Sequence, residues 1–392
     1  MPTRQQLLGA ATRLHAHLER RHLDRGLVRG PDAGVRFNLR LTRFVKSALG
    51  FIPWRDGYVF MQTQGYWILS NWMLYETTGH SRYRDLALEA TEATVKLQLP
   101  AGGWVYPLPE RRHLIATVEG NWGAIGLLAT NAREPRAELA ADAVRWYEFL
   151  VQHIGFQEHP RGKAINYFDQ PRGKIPNNSV EAAWFFARLW RATGEARFLD
   201  HVPALLDFVA AVQLPSGELP YIVGGPLEPG RVHYLCFQYN AFQFLKLAWL
   251  SSALAAASDA DALASRAHAI MAPLARFLER GVTASGACAA DCSHQRPELD
   301  YHTAVLGAAL GEAARLNLVA SAGAGGRCYD RLLDRQSAAG EFGHSSGDYG
   351  FLRDSRSYPR PLAMTLFHLL YPIAGDGFAA GADRQTRPGA PS

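Results

Sequence analysis

Apolar segments return along this chain at a nearly fixed interval. The runs AAWFFARLW, YNAFQFLKLAWL and TAVLGAALGEAA are apolar almost all round, as helices buried on every side should be. Others, such as AADAVRWYEFLV, carry their apolar residues on one face. The first kind centres near Trp67, Trp122, Trp184, Phe242, Val305 and Met364, in steps of 55 to 63 residues. One step holds two helices and two loops. The pattern therefore predicts six inner helices with outer helices between them. The amphipathic segment at about residues 3–20 supplies the sixth outer helix and closes a ring. No long β pattern competes; short runs such as VYPL and PYIV are expected to pair as small hairpins in loops. Residues 1–375 read as one all-α domain of six helical hairpins. Residues 376–392, rich in Gly, Ala and Pro, are expected to be a disordered tail.

An internal repeat supports this division. The segment ETTGHSRYRDLALEATEATVKLQLPAGGWVYP, from Glu76, returns 115 residues later as RATGEARFLDHVPALLDFVAAVQLPSGELPYI, from Arg191. Thr78, Gly79, Arg82, Asp85, Gln98 and Tyr106 match Thr193, Gly194, Arg197, Asp200, Gln213 and Tyr221. A weaker third copy, LLDRQSAAGEFGHS, carries Gln336. In each full copy a helix stops at Thr-Gly, where glycine supplies a left-handed cap. In all three copies the outer helix runs into Gln-x-x-x-Gly-x-[Trp/Leu/Phe], a turn packed by its last residue.

This repeat grammar resembles the (α/α)6 toroid superfamily over about residues 3–373. That superfamily includes six-hairpin glycosidases, polysaccharide lyases, uronyl epimerases and the terpenoid cyclases. The resemblance implies that substrate binds at the N-terminal ends of the inner helices. Free backbone N–H groups and the helix dipole favour anions there.

Those ends carry Gln62 and Gln64; Glu119, Asn121 and Trp122; Asn177, Asn178 and Glu181; His233, Tyr234, Gln238 and Asn240; Asp300, Tyr301 and His302; and Arg356, Tyr358 and Arg360. Amides and carboxylates suit sugar hydroxyls, and aromatic faces suit pyranose rings. Gln64, Asn121, Trp122, Asn178, His233, Gln238 and Asn240 are the expected binding residues. Arg356 and Arg360 are expected to grip a carboxylate such as a uronate. Glycosidic cleavage needs two carboxyl groups across the bond. Glu119 and Asp300, on the second and fifth inner helices, are expected to face each other, with Glu181 as an alternative partner. For epimerisation or β-elimination, Tyr358, His302 or His233 would move the proton. Each residue also has a plainer reading as a helix cap, a core histidine or an ion pair.

Composition narrows the field. Of 392 residues 48% are hydrophobic, enough for a long repetitive core. The net charge of +5 comes from 41 basic and 36 acidic residues that are interspersed without a basic block, which argues against a nucleic-acid partner. No leader-like apolar stretch and no run long enough to span a membrane is apparent, so a cytoplasmic setting is expected. Four cysteines are too few for a disulfide scaffold. Cys288, Cys292 and His294, with Asp291 and Cys236 nearby, lack a standard zinc spacing, so no metal or cofactor is expected. The favoured reading is a carbohydrate-active protein working by acid/base catalysis on a poly- or oligosaccharide, in exopolysaccharide synthesis or trimming. A terpenoid-cyclase or prenyltransferase-like enzyme is the alternative, although an Asp-rich motif is missing. A non-catalytic glycan-binding ring is the third reading.

Overall fold

The computed structural model describes residues 2–32, 49, 51, 56–170, 172–225, 228–255, 261–289, 291–292, 298–320, 322–344, 356 and 358–374. The tail at 376–392 and His294 lie outside the described residues. Among those described, twelve α-helices alternate between an inner and an outer layer. The inner helices are α2 (Met61–Thr78), α4 (Thr117–Asn131), α6 (Pro176–Thr193), α8 (Cys236–Leu254), α10 (Asp300–Arg315) and α12 (Pro359–Ala374). The outer helices are α1 (Arg4–His22), α3 (Ser81–Lys96), α5 (Ala137–Phe149), α7 (Val202–Val212), α9 (Asp261–Glu279) and α11 (Gly323–Arg335). Each inner helix packs on the next, and α12 packs on α2, so the inner ring is closed. The N-terminal helix α1 covers α12, as its one-sided pattern requires.

The core follows from the all-round apolar sequences. Tyr66, Trp122, Trp184, Trp249 and Phe367 come from five of the six inner helices and are buried. Their rings touch in a circuit: Tyr66 to Trp122 at 3.8 Å, Trp122 to Trp184 at 5.7 Å, Trp184 to Trp249 at 4.8 Å, Trp249 to Phe367 at 5.8 Å and Phe367 back to Tyr66 at 5.2 Å. Aromatic pairs at these separations add stability beyond their buried area.

The repeat motif has a physical cause. The side-chain amides of Gln98, Gln213 and Gln336 each donate to the carbonyl of the glycine four residues on, at 2.7–2.9 Å. Each also donates to a carbonyl on the next outer helix: Asp142 on α5, Ile270 on α9 and Ala10 on α1. Gly102, Gly217 and Gly340 hold positive φ. A Cβ on any of them would collide with the carbonyl oxygen of Arg145, Pro273 or Arg13, one turn further along those same helices. Gly26, Gly162 and Gly286 make the same close approach to α3, α7 and α11. All six outer-helix seats are thus filled, including three that carry no repeat motif. The third copy, Gln336 on Ala10, staples the end of the ring to its beginning. Thr78–Gly79 and Thr193–Gly194 end α2 and α6 with left-handed glycines.

Among the described residues two short hairpins occur, β1 (Leu23–Asp24) with β2 (Leu27–Val28), and β3 (Phe156–His159) with β4 (Gly162–Ile165). VYPL and PYIV make single bridges instead: Val105 to Ile115, Ile222 to Arg231 and Val223 to Lys174. No described helix is long and apolar enough to cross a membrane. The connections leaving outer helices are long and gather at the N-terminal ends of the inner helices, which sets the place of any cleft.

Gly340→Ala and Gly79→Ala separate conformation from contact. Gly79 has φ 73° and open space around it, so its replacement costs about 1 kcal/mol of backbone strain. Gly340 adds a collision with α1, raising the loss to about 3 kcal/mol or more. Urea unfolding measures both; equal losses would contradict the seating role.

Candidate functional site

The long loops and the inner-helix N-termini enclose a cavity of about 390 Å³. Its wall carries aromatic faces (Tyr167, Phe168, Tyr221, Tyr239, Phe242 and Tyr301) and amides (Gln62, Asn177, Asn178 and Gln238). Four cations reach it, Arg111, Arg172, Lys246 and Arg360, and Glu228 is the one carboxylate among its described lining residues. Asn178 and Gln238 are 2% and 5% exposed, yet Asn178 Nδ2 and Gln238 Oε1 have no hydrogen-bond partner among the described residues. A buried polar atom left unmet costs about 1–3 kcal/mol. Both residues line the cavity while these two atoms are closed off from it, so a polar ligand would meet them once their amides turn toward it.

Two carboxylates lie behind this wall, each joining neighbouring inner helices. Glu119, in the first turn of α4, accepts the backbone N–H of Gln62 at 3.0 Å, capping α2, whose own N-cap residue, Phe60, makes no side-chain cap. Burial pushes its carboxyl up to about 7, against the pull of the Gln62 and Met61 N–H groups and Arg360. Glu181 on α6 meets Lys246 of α8 at 2.5 Å and accepts from Trp122 Nε1 at 3.0 Å and Asn121 Nδ2 at 3.4 Å. Burial raises its carboxyl as well, and Lys246 and the two donors pull it back. Lys246 also donates to Asn177 Oδ1 at 3.1 Å. Arg360 is ion-paired with Asp32 at 2.8 Å and lies over the Phe60 ring.

Of the residues singled out from sequence, Gln62, Asn177, Asn178, Gln238, Tyr301 and Arg360 line the cavity, and Glu119 and Glu181 stand behind it. The others are engaged elsewhere. Asp300 does not face Glu119 across the cavity: its carboxylate is held by Arg335 of the outer helix α11. Burial still raises it to about 6. His302 is fully buried against Tyr301, neither ring nitrogen has a partner among the described residues, and burial lowers it to about 3. It is a neutral core histidine. Tyr358 is buried beside Asp300, Phe342 and His344 in a separate small pocket. Arg356 donates to the Leu49 carbonyl at 2.5 Å and is absent from the cavity wall. Gln64 ties the β2 strand to α2 through the N–H and C=O of Val28. Asn121 accepts from Trp146, and Trp122 stacks on Tyr66. Asn240 clamps both backbone groups of Leu219. His233 lies 3.0 Å from Glu218, also away from the cavity.

No family model matches the chain, and no curated protein does. Solved structures do. A possible member of the GH105 family from Salmonella enterica superposes with TM-score 0.66 at 13% identity, covering 95% of each chain. A polysaccharide lyase gives TM-score 0.67 at 11% identity, over 95% of this chain and 98% of the other. A cellobiose 2-epimerase from Bacillus thermoamylovorans gives 0.62 at 12%, over 80% and 88%. The fold is the (α/α)6 toroid.

Several wall residues of the toroid carried no sequence signal. Arg111, Tyr167 and Arg172 come from loops whose spacing bears no relation to the helical repeat. Lys246 did leave a trace: it is the one charge inside YNAFQFLKLAWL, and a lysine there requires a buried partner. That pair yields a prediction. Lys246→Met strands Glu181 without its counter-charge and should cost about 3–5 kcal/mol in chemical denaturation. Adding Glu181→Gln should recover most of the loss. A single variant as stable as the parent, or a double variant no better than the single, would contradict the pairing.

Proposed function

We propose that this toroid is a carbohydrate-active enzyme that binds a uronate-bearing oligosaccharide in the 390 Å³ cavity and acts on it by proton transfer. The unmet Asn178 donor and Gln238 acceptor, set among tyrosine faces and four cations, carry this reading. Amides serve sugar hydroxyls, tyrosine faces serve a pyranose ring, and arginines serve a carboxylate. An isoprenoid would call for a more apolar, closed pocket. Structurally similar proteins include a polysaccharide lyase, an epimerase and proteins of glycoside hydrolase families, which supports a sugar substrate without choosing the reaction.

The wall itself favours one class of reaction. Hydrolysis needs two carboxyl groups facing each other across the bond. Glu228 alone lines the cavity among its described residues, and its Oε2 accepts the Gly173 N–H. Proton abstraction beside a uronate carboxylate needs a cation to neutralise that carboxylate, a base near neutrality and a donor for the departing or returning oxygen. Arg360, Arg111 and Arg172 supply the first. Glu119, raised to about 7 beside Arg360 and standing behind Gln62 of the wall, is the base, reached when substrate displaces the Gln62 side chain in front of it. Burial holds Tyr167, Tyr239 and Tyr301 protonated, leaving them as donors. Elimination or epimerisation at a uronate is therefore the reaction proposed.

Incubation with uronate-bearing oligosaccharides, their neutral counterparts and polyprenyl diphosphates, followed by mass spectrometry and NMR, tests it. Only the uronates should react. Glu119→Gln should lower turnover by about 100-fold or more. Because Glu119 must be ionised to accept a proton, turnover should rise as pH climbs through about 7. Equal reaction of neutral sugars, consumption of diphosphates, or full turnover by Glu119→Gln would each overturn the proposal.

A further inference from the structure

Away from the cavity, four side chains from three separate segments converge on one point. Glu218 comes from the loop after α7, His233 and Cys236 from the entry to α8, and Cys292 from the loop before α10. One potential ligand atom from each lies within 4.8 Å of all the others. Cys236 Sγ and Cys292 Sγ are 2.7 Å apart, and the Cys292 N–H points at Cys236 Sγ at 3.0 Å. His233 Nδ1 is 3.0 Å from Glu218 Oε2, which in turn is 3.9 Å from Cys292 Sγ. Glu218 and Cys236 are buried, while His233 and Cys292 open to solvent.

We propose that Glu218, His233, Cys236 and Cys292 bind one zinc ion in a closed, four-ligand structural site. Two sulfurs, one imidazole nitrogen and one carboxylate oxygen form a donor set suited to tetrahedral zinc. Ligands about 2.0–2.3 Å from a tetrahedral ion lie about 3.3–3.8 Å from one another, so binding opens the sulfur pair and keeps the remaining ligands within their present spread. The two thiols release their protons to solvent as the metal binds. A disulfide would account for the sulfurs alone and an ion pair for Glu218 and His233 alone; neither accounts for all four groups meeting at one point. Leu235, between His233 and Cys236, holds φ 45° and ψ 42°, a left-handed conformation that leucine rarely adopts; a metal gripping Cys236 beside it and His233 two residues before it offsets that strain. Cys288, in contrast, is buried apart, donating to the Ala289 carbonyl at 3.3 Å. The site would pin together the segments that present Tyr221, Gln238 and Tyr239 to the cavity, whatever ligand that cavity takes.

The test uses the full chain, purified under reducing conditions, incubated with zinc chloride and desalted. Elemental analysis should find one zinc per chain. Cys236→Ser and Cys292→Ser should each lower retained zinc at least tenfold, and Cys328→Ser, buried outside the cluster, should not. His233→Ala removes an exposed ligand and leaves the core intact, so it should lose zinc while keeping its far-ultraviolet circular dichroism. Cobalt in place of zinc should give a thiolate charge-transfer band that all three ligand variants lack. Retention of no zinc by the parent would overturn the proposal. So would protein purified without reductant whose mass is lighter by two hydrogens, with Cys236 and Cys292 joined and reduction failing to restore zinc binding.

Discussion

Backbone-to-backbone contact between each loop and the next outer helix is the constraint on which this molecule rests. Six glycines sit so close to neighbouring helices that no side chain fits between, and three glutamine amides bridge the same contacts. A seat of this kind fixes both the spacing of adjacent hairpins and the direction in which the chain leaves it. The consequence reaches the cavity. After Gly102 the chain leads to Arg111, after Gly162 to Tyr167 and Phe168, and after Gly217 to Tyr221. Wall residues distant in sequence are held in register because each loop starts from an equivalent seat.

A second layer of order comes from buried polar joints. Glu119 of α4 caps α2, and Glu181 of α6 gathers donors from α4 and α8. Carboxylates in an apolar interior are costly unless met by partners, and here each is met by the helix next door. The same joints place charge beneath the cavity. Lys246 and Arg360 present cationic groups to the cavity while their counter-charges, Glu181 and Asp32, stand beside them. The site is thus assembled from groups that also hold the ring together, which is why their environments are dry and Glu119 titrates far from its ordinary range.

The fold was legible because it is periodic. Burial on all sides marked the six inner helices, and Gln98, Gln213 and Gln336 marked three of the seats. Gly26, Gly162 and Gly286 escaped because no glutamine accompanies them. The site was less legible. A position near a helix N-terminus says nothing of whether a side chain turns toward the axis or toward the outer ring. Asp300 turned to Arg335, His302 entered the core, and Asn121, Gln64 and Asn240 became bonds between elements. Gln62, Asn177, Asn178, Gln238, Tyr301 and Arg360 reached the cavity. Loop residues such as Arg111 and Arg172 follow no period and could be found only in three dimensions. Cys236 and Cys292 lie 56 residues apart, so their meeting was beyond any spacing rule.

The proposed fit of the cavity wall to an acidic sugar can be seen or refuted in one structure. A crystal structure of the protein with a uronate-bearing trisaccharide tests it most directly. The carboxylate should lie among Arg360, Arg111 and Arg172, with hydroxyls meeting Asn178 Nδ2 and Gln238 Oε1. A trisaccharide bound elsewhere, or an empty cavity in which Asn178 and Gln238 have turned to protein partners, would contradict it.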